Sequence, residues 1–436
     1  MKYFSLNKQS PIINFEEATI KGQAPDKGLY FPEAIPQLPK GFIENLKDYS
    51  KEEIGITVMQ PFIGNCLSNV QLQRIVAETI NFNFPLVKIK NNIYSLELYH
   101  GPTLAFKDVG ARFMSRCLGY FNRNNNKKVT VLVATSGDTG GAVANGFLGV
   151  EGVEVIILYP SGKVSPVQEL QLTTLGQNIT ALEVQGNFDD CQAIVKQAFI
   201  DADINSKFSL TSANSINVAR WLPQQLYYFF AHQQWQQNEP PIISVPSGNF
   251  GNICAGMMAF ASGLPVKHFI AACNANDVVT NYLQTKEYQP KQAIATVSNA
   301  MDVGNPSNFV RIQQIFNNQF ASLKNKLSSI SIDDETTKQT IAKVYKDYNY
   351  ILDPHGAVAY FALDNFITQY PIPNTQYLSG YILETAHPVK FPNVVEEAIG
   401  KKIEVPDEVK YLFHQTKKSI LISSNYNDFK EWIMNK

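Results

Sequence analysis

Val129-Thr130-Val131-Leu132-Val133-Ala134-Thr135-Ser136-Gly137-Asp138-Thr139-Gly140-Gly141 is the stretch that decides the fold. Its first six residues form an unbroken apolar, largely β-branched run. Such a run predicts a strand buried on both faces, the usual state of a parallel sheet. Hydroxyls and glycines then make a turn, and small residues continue as a helix. Downstream the pattern repeats. Val153 to Tyr159 reads as a second strand, closed by Pro160-Ser161-Gly162. A helix over Pro166 to Leu175 leads to a third strand, Thr180 to Val184, and Asp189 to Ile200 reads as the next helix. Strand, loop and helix at this pitch predict βαβ units.

A second series follows residue 215. Val218 to Trp235 reads as one helix, with Leu222, Leu226, Phe229 and Phe230 on one face. Ile242 to Val245 is a strand, Gly251 to Ala261 a helix, and Phe269 to Cys273 a strand. Asp333 to Tyr348 is a polar helix, and Tyr377 to Leu383 a last strand. Upstream, residues 1–95 alternate short apolar runs with turn signals. They include a helix from Leu67 to Asn81 and a linker-like Pro36 to Gly41. The expectation is an α/β protein with two parallel-sheet lobes: an N-terminal domain over 1–95, a smaller lobe over 96–215 and a larger lobe over 216–436.

At 436 residues the chain exceeds what one hydrophobic core usually serves, which agrees with several domains. A net charge of -1 supplies no field to gather nucleic acid or an anionic membrane, so neither is expected as a partner. Five cysteines with no close spacing look like neither a disulfide framework nor a zinc site. The first fifteen residues hold no apolar signal core, and no run approaches the length of a membrane span. A reduced, cytoplasmic protein is expected.

Lys107, in Gly101-Pro102-Thr103-Leu104-Ala105-Phe106-Lys107-Asp108, is the first candidate for chemistry. Apolar, small neighbours carry one amine into a strand-to-helix junction. Burial disfavours the charged form, lowers the pKa and makes the amine a nucleophile suited to an aldehyde cofactor. Taken singly, a surface lysine with a snorkelling stem fits as well.

Pro246-Ser247-Gly248-Asn249-Phe250-Gly251-Asn252 lies between a strand and a small-residue helix. Glycines there let backbone amides converge, and the helix N-terminus adds partial positive charge, which together suit a phosphate. The loop has no lysine and no Gly-Lys-Ser/Thr, so it is not a nucleotide P-loop. Thr135, Ser136 and Thr139 present hydroxyls for an anion, while Asp138 is expected to turn back and cap backbone amides. Ser215 and Asn217 flank a helix start whose first turn carries Arg220, a cation at the end that favours anions. Lys163 and Ser165 form a similar pair. Thr385, in Glu384-Thr385-Ala386-His387-Pro388-Val389-Lys390, follows the last strand, where open α/β sheets bind ligands. Each of these, alone, also fits an ordinary capped turn.

In this order the motifs resemble the threonine synthase family, fold-type II pyridoxal-phosphate enzymes with a tryptophan synthase β-like architecture, over nearly the whole chain. The resemblance rests on His100-Gly101-Pro102-Thr103-Leu104-Ala105-Phe106-Lys107-Asp108, Thr135 to Gly140, Ser215-Ile216-Asn217, Gly248 to Asn252 and Thr385-Ala386-His387-Pro388. Gly28-Leu29-Tyr30-Phe31-Pro32 is similar to the N-terminal segment of the bacterial and fungal branch. The resemblance implies pyridoxal 5'-phosphate as cofactor, linked through Lys107. Gly248, Asn249, Phe250, Gly251 and Asn252 would hold its phosphate, and Thr385 would face its ring nitrogen. It implies O-phospho-L-homoserine as substrate, converted with water to L-threonine and phosphate. Thr135, Ser136, Asp138, Thr139, Lys163, Ser165, Ser215, Asn217 and Arg220 would form the substrate site. Other fold-type II members carry Asn where this chain has Asp138. The branch implies a monomer, with a dimer as the alternative. Two rivals stand beside this reading: another fold-type II enzyme, such as a threonine dehydratase or a cysteine synthase, and a non-catalytic pyridoxal-phosphate-binding homologue.

Overall fold

The computed structural model describes residues 1–125, 127–369 and 378–436. Two sheets carry the architecture. One has six strands, in the spatial order Leu327–Ser331, His268–Cys273, Ile242–Pro246, Gly380–Glu384, Ile93–Glu97 and Leu86–Lys90. All neighbours in it run parallel except the last pair. The other has five parallel strands, ordered Ser419–Ser423, Ile179–Gln185, Val153–Pro160, Val129–Ala134 and Ser209–Thr211. A small antiparallel sheet of Lys2–Ser5, Ile13–Asn14 and Tyr30–Pro32 stands at the N-terminus.

The period-two rule explains why the strands lie as they do. Val129, Val131 and Val133 enter one core with Val155, Ile157, Ile243, Val245, Phe269 and Leu383. Their alternates Leu132, Ala134, Ile156 and Leu158 face the opposite way, onto the helices Phe188–Ile200 and Tyr426–Met434. Ile242, Ile270 and Ile382 likewise pack outward against the helix Pro354–Gln369. Inner faces of both sheets therefore share one central core, which also takes in Tyr3, Phe15 and Phe31 of the N-terminal segment.

The predicted parallel sheets and most of their elements are present. Val129–Ala134 and the helix Gly251–Ala261 stand at their expected bounds. The helix expected from Leu67 is Asn69–Thr79, because Ser68 caps it by accepting from the Gln71 amide. The strand expected from Tyr377 begins at Gly380, Tyr377 itself lying outside the described residues. The single helix expected from Val218 to Trp235 is three pieces: Val218–Trp221, a 3-10 turn at Leu222–Gln224, and Gln225–Gln234. Pro223 is the cause, since it has no amide to donate and its ring crowds the preceding turn.

The sheets do not follow the chain in consecutive blocks. Leu86–Lys90 straddles no boundary yet belongs to the six-stranded sheet, although it falls in the expected N-terminal domain. Ile93–Glu97, cut by the expected boundary at 95, pairs with Gly380–Glu384. Ser419–Ser423, at the end of the expected larger lobe, pairs with Ile179–Gln185 in the five-stranded sheet. Pairing between segments hundreds of residues apart leaves no local mark in composition or periodicity.

Candidate active site

The chain leaves Glu97, at the carboxyl end of its strand, and makes a nine-residue passage before the helix Lys107–Asn122 begins. That passage is fastened along its length. The Phe106 amide donates to the Thr385 carbonyl at 2.9 Å, and the His387 amide to the Leu104 carbonyl at 3.0 Å. Tyr227 Oη donates to the Phe106 carbonyl. Thr103 is held by the Asp108 carboxylate, which accepts from its amide and its hydroxyl. Leu104 sits at φ +56°, a left-handed conformation that a branched side chain adopts only when its surroundings demand it.

Lys107 Nζ ends in this enclosure with no hydrogen bond or ion pair among the described residues. Its nearest ring is Phe106, 5.7 Å from the centroid. Burial lowers its pKa to about 8; Asp138 opposes the fall, and the cations Lys390 and Arg220 add to it. The amine is therefore partly neutral near physiological pH, as a nucleophile requires.

Gly248 to Asn252 form a cup. Among the described residues no acceptor receives the five successive amides of this segment. Phe250 holds φ +60° at the start of the helix Gly251–Ala261, turning those amides outward at a helix N-terminus. Asn249 is locked by Nδ2 to Ser215 Oγ at 2.8 Å and by Oδ1 from the Ser307 amide at 2.6 Å. Asn252 Nδ2 donates to the Pro246 carbonyl at 2.8 Å. The side chains hold the cup, and the backbone is left for a ligand.

Thr385 is buried, its carbonyl taken by Phe106, and no group among the described residues bonds to its hydroxyl. Arg220 is also buried. One guanidinium nitrogen donates to the Lys107 carbonyl at 3.2 Å, while Nε has no partner. No carboxylate among the described residues lies within ion-pair distance of it, and burial pushes its pKa down to about 10, so it remains a cation at neutral pH. Ser136 and Thr139 are half-buried with uncommitted hydroxyls, and Lys163 is exposed with no ion pair.

Several residues expected to meet substrate are occupied otherwise. Thr135, not Asp138, caps the turn: its hydroxyl accepts from the Gly137 and Gly140 amides at 3.0 and 2.8 Å. Asp138 instead pairs with Lys390 at 2.7 Å and accepts from Gln168 at 2.9 Å. Those bonds hold its carboxyl well below the usual range despite burial. Asn217 is fully buried. Its amide serves the Thr19 and Ser212 carbonyls, and its carbonyl caps the Ala219 amide, so nothing remains for a ligand. Ser165 caps the helix Pro166–Thr173 in a reciprocal pair with Gln168. Ser215 Oγ accepts from Asn249 and Asn308, which makes it a support of the cup.

Sequence reasoning gave no role to Lys390, Asn308 or Arg311. Arg311 is fully buried and donates to the carbonyls of Tyr30, Ser215 and Ile216 and to Asn308 Oδ1. It ties the N-terminal sheet to the cup. The spacing of Asn308 and Arg311, one turn apart at a helix start, was the one available sign.

An uncommitted buried amine, a cup of free amides and a free buried hydroxyl suit a phosphorylated aldehyde with a ring nitrogen. The chain matches the family model described as pyridoxal-phosphate dependent enzyme over residues 79–373. It also matches threonine synthase N terminus over 2–80 and threonine synthase, C-terminal, over 356–433. It is 42% identical to threonine synthase of Haemophilus influenzae over 93% of each chain. Among solved structures, the crystal structure of threonine synthase from Escherichia coli is 39% identical, with TM-score 0.91 and full coverage of both chains. PLP-bound threonine synthase from Brucella melitensis is 33% identical, with TM-score 0.92 over 100% of this chain and 99% of that one. On the motifs, the fold and these matches together, the chain belongs to the threonine synthase family of pyridoxal-phosphate-dependent enzymes.

Proposed function

We propose that this protein converts O-phospho-L-homoserine and water to L-threonine and phosphate. The observation that carries the reading is the Arg220 guanidinium. It is buried beside Lys107, lacks a carboxylate partner among the described residues, and shares no hydrogen bond with the amide cup. One anion site serves a cofactor phosphate; a second suits a substrate that brings its own.

Pyridoxal phosphate, when bound, supplies an aldehyde that captures amines and a ring that takes up electron density from the substrate Cα. The amides of Gly248 to Asn252 would hold its phosphate, and Thr385 Oγ1 would meet its ring nitrogen. A hydroxyl there, rather than a carboxylate, would leave that nitrogen less firmly protonated. Lys107 Nζ would anchor the cofactor and, as a free amine beside the substrate, would take the Cα proton; a Cβ proton is lost as phosphate leaves Cγ, Cγ gains a proton, water adds at Cβ, and Lys107 would return a proton to Cα. Arg220, with the hydroxyls of Ser136 and Thr139 and with Lys163, would bind the substrate phosphate and stabilise it as it leaves Cγ. The fastened Lys107 passage keeps the amine in place while its bond partners change.

The assay is release of free phosphate from phosphohomoserine, with phosphoserine and threonine as competing substrates. Release from phosphohomoserine alone is expected; turnover of threonine or phosphoserine instead would move the protein to another activity of the fold. Lys107→Ala should abolish covalent cofactor capture and lower turnover on the order of 10²–10⁴-fold. The resemblance to the bacterial and fungal branch supports a cytoplasmic monomer, which light scattering of the holoenzyme checks.

A further inference from the structure

A second lysine is buried where elements of the two lobes meet, and the chemistry above does not use it. Lys390 ends the short turn Pro388–Lys390, just past the strand Gly380–Glu384 of the six-stranded sheet. It is fully buried. Its ammonium lies 2.7 Å from Asp138 Oδ1 and donates to the Thr103 carbonyl at 2.8 Å. Asp138 begins the helix that follows the strand Val129–Ala134 of the other sheet, and Thr103 belongs to the passage that delivers Lys107. One side chain thus joins both lobes and the reactive loop. Gln168 and Gln171 complete the cluster, donating to Asp138 Oδ1 at 2.9 Å and to the Thr103 carbonyl at 3.1 Å.

Lysine is almost never fully buried without a partner, and removing one partner of a buried pair strands the other charge. Here the stranded charge would have a second choice. Asp138, Lys390 and Arg220 act on the charge of Lys107, Arg220 donates to its carbonyl, Asp108 follows it on its own helix and Tyr227 donates to the Phe106 carbonyl of its loop. Asp138 is the only anion among those that draws its proton; Lys390 and Arg220 repel it.

We propose that Lys390 is a positioning residue: by pairing with Asp138 it keeps that carboxylate from pairing with Lys107, leaving the Lys107 amine uncommitted between the lobes. The proposal rests on the reading of Lys107 as the reactive amine. It accounts for the presence of an ionised carboxylate beside a nucleophile that must be neutral to act. It also explains why that carboxylate carries a buried counter-ion from the opposite lobe.

The test uses the full-length apoprotein, so it does not depend on turnover. Carbamoylation of Lys107 by cyanate, read by peptide mass as a function of pH, reports the neutral amine directly. The wild type should show a midpoint at about 8. In Lys390→Met the midpoint should rise by about one pH unit, with about tenfold less labelling at a fixed pH below it. Asp138→Asn combined with Lys390→Met should bring the midpoint back to the wild-type value or lower, and should melt above Lys390→Met. An unmoved midpoint in folded Lys390→Met overturns the proposal. If Lys390→Met does not fold, recovery of a folded, labelled double variant supports the proposal and failure to recover overturns it. Loss of the parent reading has a different signature: normal labelling of Lys107 in apoprotein that never takes up pyridoxal phosphate.

Discussion

Arg220 carries its charge into a place where no carboxylate waits for it. A buried guanidinium normally travels with a partner, and here it has one backbone carbonyl while Nε–H lacks an acceptor among the described residues. The expected consequence is selective. Arg220→Gln should raise KM for the phosphorylated substrate by roughly tenfold or more, the worth of a charge-assisted hydrogen bond, and leave cofactor affinity nearly unchanged. Steady-state kinetics and cofactor titration separate the two. His387 makes a second residue-scale prediction. Its Nδ1 accepts from the Val389 amide at 3.1 Å, and Tyr99 packs edge-on against its ring. Burial, with His100 adding, lowers its pKa from 6.5 to about 4. Between those values the unfolded chain binds a proton that the native state refuses, so stability rises with pH and is lost as pH falls through the window. Urea unfolding from pH 7 to 4 should show that decline, less steep in His387→Gln.

At the scale of elements, each group proposed to meet a ligand sits in a segment that leads from a parallel strand to a helix. Sequence reasoning located these turns because strand periodicity and glycine chemistry are local. Which side chains would turn inward was not local. Thr135 and Asn217 read as ligand hydroxyl and amide, yet both satisfy the backbone of their own turns, because a buried amide left unpaired costs more than a ligand contact gains. The cup shows the opposite case, where amides stay free because side chains of Asn249 and Asn252 brace the loop from behind. Gly248 is needed there for closeness: a Cβ would lie 2.6 Å from Met301 Cα and 2.9 Å from the Ala300 carbonyl oxygen. Gly248→Ala must shift one backbone against another. It should weaken pyridoxal-phosphate binding by about tenfold or more, seen by equilibrium titration, because the amides lose their common focus.

The whole molecule is two sheets closed onto one core by segments remote in sequence. Phe429, fully buried on the helix Tyr426–Met434, seals the outer face of the five-stranded sheet more than two hundred residues after that sheet's central strands. Phe429→Ala should cost about 3–5 kcal/mol by denaturant unfolding, with cofactor binding by the folded protein little changed. The amino-acid sequence by itself determined six of the eleven strands of the two large sheets, most helices between them, and the residue types in the turns that follow them. These follow from periodicity, proline and glycine geometry, and the chemistry of single side chains. Only the tertiary structure decided which sheet each strand joins and that Asp138 pairs with Lys390. The physical reason is that ion pairing, burial and strand pairing depend on distance in space. Asp138 and Lys390 stand 2.7 Å apart after folding and share no local signal along the chain.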